Sequence, residues 1–226
     1  MWKEILDTKK AVIFDLDGTV VDSMWIWRQI DMDYFDKCNI VMPRTYQKEI
    51  EGLSFYETAV YTRDNYLPHM SVEELMDDWN KMAYDHYANK VRPKENVRQF
   101  LSYLKDNGYK LGIATSNSMT LCSATLTSNG MISYFDSILT GEESMPGKPA
   151  PDVYLRSAAS LGISPEKCLV FEDICNGILA GNRANMTTVA VHDEYSEYQW
   201  EEKKKLADHY IYSYREITDE ICDQKS

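Results

Sequence analysis

Ala11-Val12-Ile13-Phe14-Asp15-Leu16-Asp17-Gly18-Thr19 is the stretch on which the fold turns. An apolar strand runs straight into two carboxylates one residue apart, then into a Gly-Thr turn. In extended backbone Asp15 and Asp17 share side-chain parity, so both can face one site at the carboxyl end of the strand. Crowded carboxylates repel. They persist where a cation neutralises them or where they do acid–base work. An ordinary Asp-Gly turn is the bland alternative. A calcium loop of the EF-hand type, counted from Asp15, would need Gly at its sixth position and Glu at its twelfth. Val20 and Ile26 stand there, which excludes it.

The same pattern returns at Cys168-Leu169-Val170-Phe171-Glu172-Asp173, with a helix expected from about Asn176. Two acid-tipped strands in a parallel sheet point to one edge, where open α/β sheets bind their ligands. An oxygen-rich cluster beside a phosphate suits Mg²⁺. Lys110-Leu111-Gly112-Ile113-Ala114-Thr115-Ser116-Asn117 is a third short strand, ending in hydroxyl and amide side chains. In Gly147-Lys148-Pro149-Ala150-Pro151-Asp152 two prolines fix the backbone around one lysine and begin a helix. A lysine beside several carboxylates can hold a phosphate and offset the repulsion among the acids.

These four segments, with Tyr134-Phe135-Asp136 and Gly141 between them, resemble the signatures of the haloacid dehalogenase superfamily of phosphatases and phosphomutases. The likeness spans nearly the whole chain and falls in the branch that includes β-phosphoglucomutase. It implies a Rossmann-like parallel α/β core with a small helical cap inserted after the first strand. It also implies a chemistry. Asp15 would attack phosphorus and form an aspartyl-phosphate, and Asp17 would act as general acid and base. Thr115, Ser116, Asn117 and Lys148 would bind the phosphoryl group, with Thr115 and Lys148 catalytic. Asp15, the Asp17 carbonyl, Asp173 and Glu172 would hold Mg²⁺. In the cap, Phe55 and Tyr56 follow Gly52 in a loop that projects into the site in the family.

Departures from the family pattern favour hydrolysis. Mutase-like members carry Val where this chain has Thr19, a histidine where it has Trp27, and a phosphate-gripping arginine near Phe55. Asp17 argues against the dehalogenase and phosphonatase branches. Ile174 stands where a small hydroxyl residue is usual, and Asn185 stands where Gly is usual; Asn tolerates the left-handed conformation. The expected function is a Mg²⁺-dependent phosphomonoesterase acting on a small phosphorylated metabolite, a sugar phosphate or a nucleotide. The alternatives are a β-phosphoglucomutase-like sugar phosphomutase and a non-catalytic phosphate-binding regulatory protein.

The remaining sequence fits this reading. The 226 residues suffice for one α/β core and an accessory unit. The core is expected over residues 1–21 and 91–226, and the helical cap over 22–90. Strands are expected near 11–15, 110–114, 168–172, 187–191 and 209–212, with a short one near 137–140. In the cap the stripes are Trp27, Ile30, Tyr34, Cys38, then Phe55, Ala59, Thr62, Tyr66, with no good strand among them. A third, behind a Ser71/Glu74 capping box, is Leu75, Trp79, Met82, His86. The net charge of −12 and the lack of a basic patch argue against a nucleic-acid partner. Lys203-Lys204-Lys205 reads as a solvated helix face. His69, His86 and His192 read as non-ligating. The scattered Cys38, Cys122, Cys168, Cys175 and Cys222 read as reduced thiols. With no apolar span and no signal peptide, a cytoplasmic monomer with no membrane partner is expected.

Overall fold

The computed structural model describes residues 1–141 and 146–222; the Cys222 side chain lies outside them. The strands are β1 (Ala11–Phe14), β2 (Val21–Asp22), β3 (Arg92–Pro93), β4 (Lys110–Ala114), β5 (Ser137–Leu139), β6 (Cys168–Glu172), β7 (Thr187–Val191) and β8 (His209–Ile211). Six of them form one parallel sheet in the order β5-β4-β1-β6-β7-β8, so β1 lies between the other two strands with chemical tips. Strand β1 is buried on both faces, which is why it reads as a continuous apolar run. Beneath it, Phe14 stacks on Phe171 with ring centroids 5.1 Å apart, and Phe100 and Tyr214 close the cluster. Each fully buried ring contributes about 1.5–3 kcal/mol. The site therefore stands on a stiff floor.

Between β2 and β3 the chain is helical: Met24–Lys37, the short Tyr46–Glu49, Phe55–Tyr66 and Val72–Asn89. Both Ser54/Glu57 and Ser71/Glu74 form reciprocal capping boxes. The first of these escaped the sequence reading. The long helix Val72–Asn89 buries Val72, Leu75, Trp79, Ala83 and Tyr87. The inward stripe thus runs at i, i+4 and replaces the expected Met82 and His86 with Ala83 and Tyr87. The one strand-like element at this boundary was also unexpected. Val21 and Asp22 pair antiparallel with Pro93 and Arg92 and tie together the two chain crossings between the sheet and the helical unit.

A second correction concerns Lys203, which is fully buried. Its Nζ donates to the Asp173 carbonyl at 2.8 Å and to Ser196 Oγ at 2.9 Å. Lys205 is exposed, as expected, and the half-buried Lys204 pairs with Glu201 at 2.6 Å, three residues back. A lysine's long apolar stem lets its head reach an internal carbonyl that a charge count cannot foresee.

Candidate active site

Three neighbouring strands deliver the chemistry to one edge. Asp15 follows β1, Thr115 follows β4, and Glu172 ends β6 with Asp173 next. Lys148 reaches them from the loop before the helix Asp152–Leu161. Its Nζ lies 2.6 Å from Asp15 Oδ1 and also bonds Glu172, which accepts from Tyr154 as well. Asp15, Glu172 and Asp173 each offer an oxygen within 4.8 Å of the others.

The electrostatics of this cluster are unbalanced. Three buried carboxylates crowd around the Lys148 ammonium, and Lys203 and Lys94 act on Asp173 from the other side. Desolvation raises the Asp15 carboxyl well above its ordinary range; Lys148 opposes this and the neighbouring acids add to it. Desolvation, then Glu172 and Asp193, push Asp173 up to about 8. Burial works against the Lys148 charge, but Asp15 and Glu172 outweigh it and raise its pKa. The Lys148 ammonium therefore stays charged, while Lys203 and Lys94 offset the rise at Asp173 only in part. Asp173 Oδ2 is buried and has no hydrogen-bond partner, and an orphaned carboxylate oxygen is costly. An oxygen-only donor set, surplus negative charge and an unpartnered oxygen together fit a hard divalent cation.

Not every expected ligand is equally open. The Glu172 oxygens already accept from Lys148, Tyr154 and the Asp173 N–H. The Asp17 carboxylate lies outside the acidic triad and accepts from Ser23, Tyr87 and Asn117, the last at 2.8 Å. Burial raises the Asp17 carboxyl, and these three donors pull the other way. Gly18, at φ +73°, is required here: a Cβ would lie 2.3 Å from Asp173 Oδ2. Thr19 donates to the other oxygen of Asp173 at 3.2 Å.

Thr115 and Asn117 are buried at the strand tip, where Thr115 Oγ1 accepts from the Asn117 N–H at 3.1 Å. Ser116 is half-buried, and its carbonyl accepts from the Phe55 N–H at 2.8 Å. A cleft of about 1860 Å³ opens over all these groups and is roofed by the helical unit. Phe55 lines it, edge-on to Trp27 and Trp79. Tyr56 does not line the cleft. Its N–H donates to the Gly141 carbonyl at 3.0 Å, and its ring packs half-buried against the core.

The roof is clasped down. Glu51 accepts from Gln199 and Tyr198, each at 2.7 Å, and the Gly147 N–H donates to Glu57 at 2.9 Å. Gly52, at φ +85°, permits this approach, since a Cβ would meet Asn176 Nδ2 at 2.6 Å and the Lys148 carbonyl at 2.8 Å. The departures at Ile174 and Asn185 are both accommodated. Ile174 cannot cap the helix Cys175–Arg183, and Gln199 Oε1 instead accepts from the Cys175 N–H at 2.8 Å. Asn185 takes φ +59°. Cys175 is buried, and desolvation lifts its thiol to about 11, so it is not a reactive thiolate.

Sequence reasoning missed Ser23, Tyr87, Tyr154 and Lys203. Tyr87 had a signal, the unbroken i, i+4 series from Leu75. Ser23 sits six residues after Asp17, while Tyr154 and Lys203 reach the site only through tertiary packing.

The comparisons agree with this geometry. YhcW of Bacillus subtilis, a proposed phosphatase, is 29% identical over 191 residues, covering 80% of this chain and 83% of its own. The pyrophosphatase PpaX of Bacillus cereus is 27% identical over 181 residues, covering 80% of this chain and 82% of its own. Among solved structures, β-phosphoglucomutase from Clostridium difficile matches with a TM-score of 0.78 at 24% identity, over 96% of both chains. CbbY from Rhodobacter sphaeroides, in complex with xylulose-(1,5)bisphosphate, matches with a TM-score of 0.80 at 19% identity, over 91% of this chain and 95% of that one. No helix among the described residues is long and apolar enough to cross a membrane. The profile of the haloacid dehalogenase-like hydrolases matches residues 12–191, and with that match the acid-tipped strands have their explanation: the chain belongs to this hydrolase family.

Proposed function

We propose that this protein is a Mg²⁺-dependent phosphomonoesterase acting on a small phosphorylated metabolite. The observation that carries the reading is Asp15 at the tip of β1, ion-paired to Lys148 beside the unpartnered oxygen of Asp173. Asp15 attacks phosphorus, the ester oxygen leaves, and water then hydrolyses the aspartyl-phosphate. Asp17, a half-buried carboxyl with a raised pKa, gives the leaving oxygen its proton and later takes one from the attacking water. Thr115, Ser116, Asn117 and Lys148 position and neutralise the phosphoryl oxygens. Asp15, Asp173 and the Asp17 carbonyl would hold the ion, with Glu172 steering Lys148 at their side. When bound, the ion would supply positive charge to the phosphoryl oxygens. In this reading residues 1–21 and 91–226 are the catalytic core and 22–90 the substrate-selecting cap.

The test is phosphate release from sugar phosphates, nucleotides and p-nitrophenyl phosphate, with Mg²⁺ and with chelator. Metal-dependent release is expected. Isomerisation of a hexose phosphate without release would replace the reading with a mutase. Phosphate binding without any turnover would replace it with a regulatory binder.

A further inference from the structure

The roof of the cleft contains a buried carboxylate that the phosphate chemistry does not use. Asp31 sits one turn beyond Trp27 on the helix Met24–Lys37, and both line the cleft. Asp31 is only 6% exposed. It accepts from the side-chain amide of Gln47, which comes from the short helix Tyr46–Glu49 and also lines the cleft. A carboxylate has about four acceptor sites, and burying one with a single neutral donor is unfavourable. Burial lifts its pKa to about 7, with Gln47 the opposing influence and no cation acting on it. Positions that break the local rule in this way are expected where a ligand is read.

We propose that Asp31 and Gln47 form a specificity subsite that hydrogen-bonds a hydroxyl group on the organic part of the phosphate ester, selecting polyhydroxylated, sugar-like or polyol substrates. The chemistry of the surroundings sets that class. Asp31 and the Gln47 amide present acceptors and a donor side by side, the complement of neighbouring hydroxyls. Trp27, Phe55 and Trp79 form a contiguous aromatic group, with Trp27–Phe55 centroids 6.1 Å and Phe55–Trp79 centroids 5.8 Å apart, and all three line the cleft. Such faces suit the C–H surface of a carbon ring. A carboxyl group near neutrality bonds a hydroxyl in either protonation state, whereas an ammonium group needs the ionised one. This inference rests on the phosphatase reading for the other end of the same molecule.

The test compares glucose 6-phosphate, ribose 5-phosphate and glycerol phosphate with n-butyl phosphate and 2-aminoethyl phosphate, using wild type, Asp31→Leu and Gln47→Leu. The wild type is expected to favour the best hydroxylated ester over n-butyl phosphate in kcat/KM. Asp31→Leu is expected to cut that ratio at least about tenfold, the usual loss for an unpaired substrate hydroxyl, and Gln47→Leu to cut it less. A ratio unchanged in Asp31→Leu, or a wild type that prefers n-butyl or 2-aminoethyl phosphate, overturns the proposal. If the wild type turns over nothing, the phosphatase reading has failed. Calorimetric affinities of the same esters then decide the subsite alone: weakening of the hydroxylated ester in Asp31→Leu supports it, and equal binding overturns it. Thermal melting of both variants checks that they are folded.

Discussion

The two ends of the cleft are built on opposite principles. At the sheet end nearly every polar atom is engaged: Lys148 bridges two acids, Tyr154 and the Asp173 N–H complete Glu172, and three donors hold Asp17. Among the described residues the unpartnered buried oxygen there is Asp173 Oδ2, where the proposed cation would sit. At the roof end the surface is aromatic, and its one deeply buried carboxylate has a single neutral donor. The first arrangement is preorganised and leaves little choice about what it binds. The second leaves hydrogen-bonding capacity to be completed by the ligand. Chemistry needs fixed charges, because reorganising them during the reaction would cost rate. Selection needs groups whose satisfaction depends on the substrate.

Replacing a single atom at the sheet end should produce the largest effect. Asp15→Asn keeps the shape but removes the nucleophile, and turnover is expected to fall by at least about 10³-fold with melting little changed. Full activity in that variant would break the assignment outright. Lys148→Met strands two buried acids, so phosphate release should drop by about 10²–10³-fold and stability by about 3–5 kcal/mol, read by denaturant titration.

Metal linkage probes the orphan oxygen. Added Mg²⁺ should raise the wild-type melting temperature, with about 2.7 kcal/mol gained at a hundred times Kd. Asp173→Asn should lose most of that gain, and an undiminished gain would move the ion elsewhere. The clasp between the ends is tested by Gly52→Ala, whose Cβ collides with Asn176 and the Lys148 carbonyl at an already left-handed backbone. An approximately tenfold loss in kcat/KM is expected, carried by the closing step.

The remaining comparison is a pH signature at the roof. The folded Asp31 pKa is raised from 3.8 to about 7. The folded state therefore binds this proton more tightly than the unfolded chain does. Asp31 costs nothing below the unfolded value, and its penalty grows as pH rises and levels off above about 7. Asp31→Asn removes the titration. Its melting temperature relative to wild type should climb between pH 5 and pH 7 and then flatten. A difference that is constant with pH would show that Asp31 is not desolvated.

The strand positions and the site acids were legible because they depend on short-range patterns. An apolar run with an acid tip at Phe14-Asp15 or Phe171-Glu172 states both the strand and the chemistry within a few residues. The Ser71/Glu74 capping box and the left-handed Asn185 were equally local. Phe55 was legible as a cleft residue through its place after Gly52, whereas its neighbour Tyr56 turned out to pack against the core.

What the sequence by itself determined was the set of polar strand tips and their order along β1, β4 and β6, since these follow from backbone periodicity and side-chain type. Only the tertiary structure decided what each group touches. It brought Tyr87 to Asp17, Tyr154 to Glu172 and Gln199 to the helix that Ile174 cannot cap. It also turned Lys203 inward beneath Asp173 and placed Asp31 in the roof rather than in solvent. The physical reason is that a polar side chain's state depends on burial and on partners tens of residues away, and neither is written in its own stretch of chain.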